Sequence, residues 1–129
     1  MEIACEGDEA KKLALALIQT MDISKATHVD VMVGNATGAT VKVSVAFGAA
    51  PEWKMHETPS AEVPSAKDPA RVRFRLDQPN FKSEASGWKH TQPMPSGGRV
   101  DKMWIVVEGL PKTARVTFDG IRFGAGGAP

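Results

Sequence analysis

Apolar and polar residues alternate with period two in four separate stretches of this chain. Val29, Val31 and Val33 alternate with His28, Asp30 and Met32. Val41, Val43, Val45 and Phe47 alternate with Lys42, Ser44 and Ala46, and Val72, Phe74 and Leu76 with Arg71, Arg73 and Arg75. Val116, Phe118 and Ile121 lie in a fourth run. Successive side chains of an extended strand point to opposite faces, so each run presents one apolar face and one wet face. That pattern predicts half-buried antiparallel strands.

Met103-Trp104-Ile105-Val106-Val107 is nearly continuous in apolar character, which predicts a central strand with Trp104 in the core. Turn signals separate the runs. Gly34-Asn35-Ala36-Thr37-Gly38 suggests a hairpin loop between two strands. Pro51, Pro59, Pro64, Pro69, Pro79, Pro93, Pro95 and Pro111 fall between strands or at their ends, where a missing N–H costs no ladder bond. Many short strands with frequent turns predict an all-β antiparallel sandwich or barrel. The segment from Asp8 to Met21 reads two ways. Ala10, Leu13, Ala14, Leu17, Ile18 and Met21 make a helical stripe, and Leu13, Leu15 and Leu17 alternate as a strand would. The all-β context sets the expectation at a strand.

The chain has 129 residues, which fits one core, expected over residues 1–123 with a flexible Gly/Ala-rich tail at 124–129. Sixteen basic and 15 acidic side chains nearly cancel, which argues against nucleic acid or an anionic membrane as partner. No apolar stretch is long enough to insert in a bilayer. Cys5 is the single cysteine, so no intramolecular disulfide and no multi-cysteine metal site can form. Met1–Asp8 carries acids and no basic stretch, so no signal peptide is read. A cytoplasmic protein and a domain of a longer extracellular or cell-surface chain both stay open, and the linker-like tail favours the second.

Three stretches carry a family resemblance. Met21-Asp22-Ile23-Ser24-Lys25-Ala26-Thr27-His28-Val29-Asp30-Val31 runs on into Asn35-Ala36-Thr37-Gly38. Arg71–Leu76 supplies a Val-x-Phe-x-Leu strand, and Val116-Thr117-Phe118-Asp119-Gly120-Ile121-Arg122-Phe123 closes the domain. Together they resemble the non-catalytic jelly-roll, galactose-binding-like β-sandwich modules, many of which are bacterial carbohydrate-binding modules attached to polysaccharide-degrading enzymes. The resemblance implies a jelly roll of about eight strands, a polysaccharide or oligosaccharide ligand, and neighbouring domains of a parent protein. Such modules often hold a structural calcium ion, but the residues here do not assemble its carboxylates and carbonyls, so no cofactor is expected.

Trp53, in Pro51–Thr58, and Trp88, in the long polar segment Pro79–Gly98, are the candidate sugar platforms. The apolar C–H faces of a sugar stack on aromatic rings while polar neighbours bind its hydroxyls. His56, Glu57, Asn80, Lys82, Glu84, Lys89 and His90 are the candidate hydroxyl contacts. Glu52, Glu57, Glu84 and Asp77 read as solvated surface charge rather than as the paired carboxylates of glycoside hydrolysis. His28, His56 and His90 lack metal-binding spacing, and Met55, His56, His90 and Met94 fit packing better than copper. No nucleophile motif is present, so no catalysis is expected. Asn35-Ala36-Thr37 matches a glycosylation acceptor and fits a turn better. The expected function is a non-catalytic carbohydrate-binding module. The alternative is a structural or protein-interaction sandwich with no small ligand, favoured if Trp53 and Trp88 are buried.

Overall fold

Alternation becomes geometry first at the centre of each sheet. In the computed structural model, which describes residues 3–6 and 12–125, Val29, Val31 and Val33 face Val41, Val43, Val45 and Phe47 across a sealed core. The strands are β1 (Ile3–Glu6), β2 (Lys12–Asp22), β3 (His28–Asn35), β4 (Val41–Gly48), β5 (His56–Glu57), β6 (Ala61–Val63), β7 (Ala70–Arg75), β8 (Arg99–Glu108) and β9 (Arg115–Gly124). They build two antiparallel sheets. The first runs β1-β9-β3-β7, and the second β2-β8-β4-β5 with β6 also on β4. Two short 3₁₀ turns, Glu84–Ser86 and Pro95–Gly98, lie in the long loop before β8.

The ambiguous early segment is a strand over Lys12–Asp22, and its residues 8–11 lie outside the described ones. β2 pairs with β8 from Lys12↔Glu108 to Asp22↔Arg99, with a register shift between Ile18 and Met21. Half-buried Leu13, Leu15 and Leu17 pack on the core from this edge. β9 also carries a bulge opposite Asp30–Met32, where Gly120 has φ +58°. The extra residue explains why Phe118 and Ile121, three apart in sequence, both turn inward. β9 runs through Gly124, one residue into the expected tail; residues 126–129 lie outside the described ones.

Two expectations need correction. The Gly34–Gly38 segment is not a hairpin loop, because β3 and β4 belong to different sheets. It is an arch that carries the chain across the core. Asn35, only 2% exposed, holds it: its amide donates to the carbonyls of Ala39 (2.8 Å) and Val63 (2.9 Å). Its Oδ1 accepts from the Thr37 N–H (3.2 Å) and hydroxyl (2.7 Å). This is an Asx-type turn, which stabilises a corner rather than a two-strand return. Among the described residues the strand count is nine rather than about eight, because the short β5 and β6 both pair along one edge of β4.

Trp104 is buried as expected, but on the side of β8 away from the main core. It is 9% exposed and belongs to a second, smaller core cluster. Met103, Ile105 and Val107 take the inward positions of β8, so Trp104 and Val106 must point the other way. They form a separate cluster with Ala46 on the outer face of the second sheet, with Met55 packed against it.

Candidate glycan-facing surface of the second sheet

The register of the second sheet sets out its outer face row by row. One row is Ala16, Trp104, Ala46 and Glu57, contributed by β2, β8, β4 and β5. The next is Ala14, Val106 and Ser44, and beyond it lie Lys12, Glu108, Lys42 and Glu62. On the other side of the Trp104 row come Ile18, Lys102 and Gly48.

Small residues on β4 let the Trp104 ring lie along the sheet. A Cβ on Gly48 would meet Cη2 and Cζ3 of Trp104 at 3.0 Å and the Lys54 carbonyl at 2.9 Å. The β4–β5 loop therefore folds back over this end of the face. Lys102 Nζ stands 5.0 Å from the Trp104 ring centre and 5.9 Å from that of Trp53. This is within the range at which an ammonium is attracted to an indole face. Trp53 is 43% exposed, with φ +56°, and its N–H donates to the Ala49 carbonyl at 3.0 Å. Asp101 braces the same loop, accepting from the Ala50 N–H at 2.8 Å and from the Thr20 hydroxyl at 3.0 Å.

Glu57 anchors the opposite corner. It is buried, and the Ser44 hydroxyl donates to its Oε2. Lys12 Nζ lies 3.2 Å and Lys82 Nζ 3.8 Å from its Oε1. On a flat sheet Lys12 and Glu57 would stand on the order of 19 Å apart, three strand spacings across and four residues along. Their contact requires this diagonal of the sheet to curl toward its outer side. Ser44, Ala46 and Val106 are buried on that face although no second sheet among the described residues covers it.

The long loop extends this sheet. Glu57 and Lys82 exchange backbone bonds of 2.9 and 2.8 Å, as do Phe81 and Gln92. Phe81 plugs into the core against Phe47, with ring centres 6.4 Å apart. Beyond this anchor the Ser86 hydroxyl accepts from the Ser83 N–H at 3.0 Å, and the Trp88 N–H donates to the Ser83 carbonyl at 2.9 Å. Trp88 is 55% exposed with φ +62°.

The expected sugar contacts therefore separate. Trp53 belongs to the outer face of the second sheet, and Glu57 and Lys82 share its edge. Trp88, Glu84, Lys89 and His90 are exposed on the loop that prolongs it. Asn80 is half-buried, with a buried Oδ1 that meets no donor. His56 pairs with Phe47, an inward position, and its Nδ1 lies 3.2 Å from the Lys54 carbonyl. A carbonyl only accepts, so that nitrogen carries the proton. Glu57 is spent on three donors, so it orients lysines rather than presenting a free carboxylate. Sequence reasoning missed Lys12, Ser44 and Lys102. The aromatic neighbours of Lys102 come from a different strand and loop, and nothing local marks them.

Two of the other acids weighed for chemistry, Glu52 and Asp77, are paired too, and Glu84 is exposed. Glu52 meets Lys54 at 3.2 Å and Asp77 meets Arg75 at 2.8 Å. Among the described residues no three His, Cys, Asp or Glu side chains gather as a metal site, and no helix is long and apolar enough to cross a membrane.

Two solved structures share this architecture. One is a family 11 carbohydrate-binding module from Clostridium thermocellum in complex with a beta-1,3-1,4-mixed-linked tetrasaccharide. It superposes with a TM-score of 0.55 over 96% of this chain and 88% of that one, at 10% identity. The other is the family 11 module of the cellulosomal cellulase Lic26A-Cel5E of the same organism, with a TM-score of 0.53 over 97% and 88%, at 9% identity. The chain has the jelly-roll β-sandwich fold of these modules. No family model and no curated protein matches it.

Proposed function

We propose that this chain is a non-catalytic carbohydrate-binding module that holds a polysaccharide against the outer face of its second sheet. The observation that carries this reading is the placement of Trp53 and Trp88. Both rings are exposed, and both sit on left-handed backbone, which costs a non-glycine residue about 1 kcal/mol or more. A tryptophan that merely filled space would gain burial from a relaxed backbone. A ring kept out in solvent at a conformational cost suits stacking on a sugar face. Lys102 and Lys82 flank Trp53 and the sheet edge as donors to hydroxyls, and Glu84, Lys89 and His90 do the same around Trp88.

The likeness to modules of the same fold supports the reading by analogy only, since one fold hosts many functions. In this reading the module belongs to a longer bacterial protein that acts on polysaccharide outside the cell. The second reading is a structural module, and the exposure of Ile18 on β2 favours it.

The test is tryptophan fluorescence during titration with soluble mixed-linkage β-glucan, xylan, mannan and galactan. The expected result is a saturable shift with one or more of them, weakened at least about tenfold in a folded Trp53→Ala variant. No response across the panel overturns the proposal.

A further inference from the structure

Three of the four sheet edges are guarded. β7 carries Arg71, Arg73 and Arg75, two of them paired with Asp30 and Asp77. β1 spans only Ile3–Glu6. β5 and β6 are short, separated by Pro59 and followed by Pro64, and β5 is bridged by Lys82. β2 is different. It is 11 residues long, pairs only with β8 among the described residues, and carries neither charge nor proline between Lys12 and Asp22. A long, uncharged, apolar edge is a ready template for another strand.

The charge that would discourage pairing is drawn away, because the Lys12 ammonium reaches across the face to Glu57. Leu13, Leu15 and Leu17 stand half-buried on the inner side of the edge. Ala14, Ala16 and Ile18 are exposed on the outer side, Ile18 at 77%. Leu13-Ala14-Leu15-Ala16-Leu17 is also a palindrome, and it lies wholly within the regular part of β2, before the register shift that begins at Ile18. Antiparallel pairing reverses one copy, so a palindrome meets itself. Centred on Leu15, it sets Leu13 opposite the second copy's Leu17 on the inner side and Ala14 opposite the second copy's Ala16 on the outer side. No like charges oppose each other.

We propose that the free edge of β2 is the docking surface for a second copy of this chain, joined antiparallel about Leu15. The two-fold axis then stands perpendicular to the sheet. Both second sheets fuse into one, with their outer faces on the same side. Pairing over about seven residues is small for an interface, so the dimer is weak and concentration-dependent. The proposal does not depend on what the outer face binds.

Sedimentation velocity over a range from low micromolar to near-millimolar protein tests it, with circular dichroism and thermal melting as fold controls. Ala14 and Ala16 face solvent, so polar replacements there leave the monomer folded. The wild-type chain is expected to shift from monomer to dimer as concentration rises. The double variant Ala14→Lys with Ala16→Lys opposes like charges twice and is expected to weaken association roughly tenfold or more. The variant Ala14→Lys with Ala16→Glu sets each introduced lysine against the second copy's introduced glutamate, and is expected to restore it. A wild-type chain that stays monomeric throughout overturns the proposal. So does a double-lysine variant that associates as the wild type does, or a charge-matched variant that associates no better than the double-lysine one.

Discussion

The Lys12 ammonium and the Glu57 carboxylate meet at 3.2 Å although they belong to opposite edges of the second sheet. The contact fastens the curl of that sheet, with the Ser44 hydroxyl and Lys82 on the same carboxylate. Glu57→Gln keeps an acceptor for Ser44 and leaves two ammoniums that reach solvent, so it is expected to cost about 1–2 kcal/mol. Glu57→Ala strands the buried Ser44 hydroxyl as well and is expected to cost about 3 kcal/mol. Urea unfolding distinguishes these values, and losses below about 0.5 kcal/mol in both variants contradict the anchoring role.

Asn35 satisfies four backbone and side-chain groups at once from a buried position in the β3–β4 arch. Asn35→Ala leaves the Ala39 and Val63 carbonyls and the Thr37 donors without it, an expected loss of about 3 kcal/mol. Asn35→Asp points a carboxylate at two carbonyl oxygens and is expected to be worse still. Thermal melting of the two variants checks both the size and the order of the effects.

Trp53 and Trp88 share left-handed backbone. Glycine adopts that conformation without steric cost, whereas alanine retains it. Trp53→Gly and Trp88→Gly are therefore each expected to be more stable than the matching alanine variant, by about 1 kcal/mol. Glycine variants that fall below their alanine counterparts in denaturant titration contradict the strain on which the proposed function rests.

The Arg73 guanidinium forks onto Asp30, with bonds of 2.8 and 3.0 Å, and holds its carboxyl below the ordinary value of 3.8. A depressed carboxyl contributes stability that is complete above the unfolded value and is lost as pH falls through the lower folded value. Asp30→Asn is thus expected to lower stability near neutrality and to flatten its decline in acid. Melting temperatures between about pH 2 and 6 show this as two curves that converge at the acid end.

The strands were legible because burial on one face leaves a period-two trace, as at Val29–Val33 and Val41–Phe47. Trp104 shows where that trace stops. A run with both faces covered looks the same whichever face meets the main core, so burial of the Trp104 ring was legible and the face it takes was not. The arch at Asn35 was misread for a related reason: turn residues announce a reversal but not which sheet the chain enters next. Within the site, the polar, turn-rich surroundings of Trp53 and Trp88 left exposure and burial both open, and only the fold decides for exposure. The burial of Glu57 did not, because its partners Ser44, Lys12 and Lys82 are distant in sequence and the fold alone brings them together.

β2 pairs with a strand made much later in the chain, Lys12 with Glu108 and Asp22 with Arg99. During synthesis at about 5–20 residues per second, β2 waits on the order of ten seconds before its partner exists. Throughout that interval a self-matching apolar segment is displayed on every nascent chain. Slower translation lengthens that display, and is expected to lower the share of chains that reach the native β2–β8 pairing.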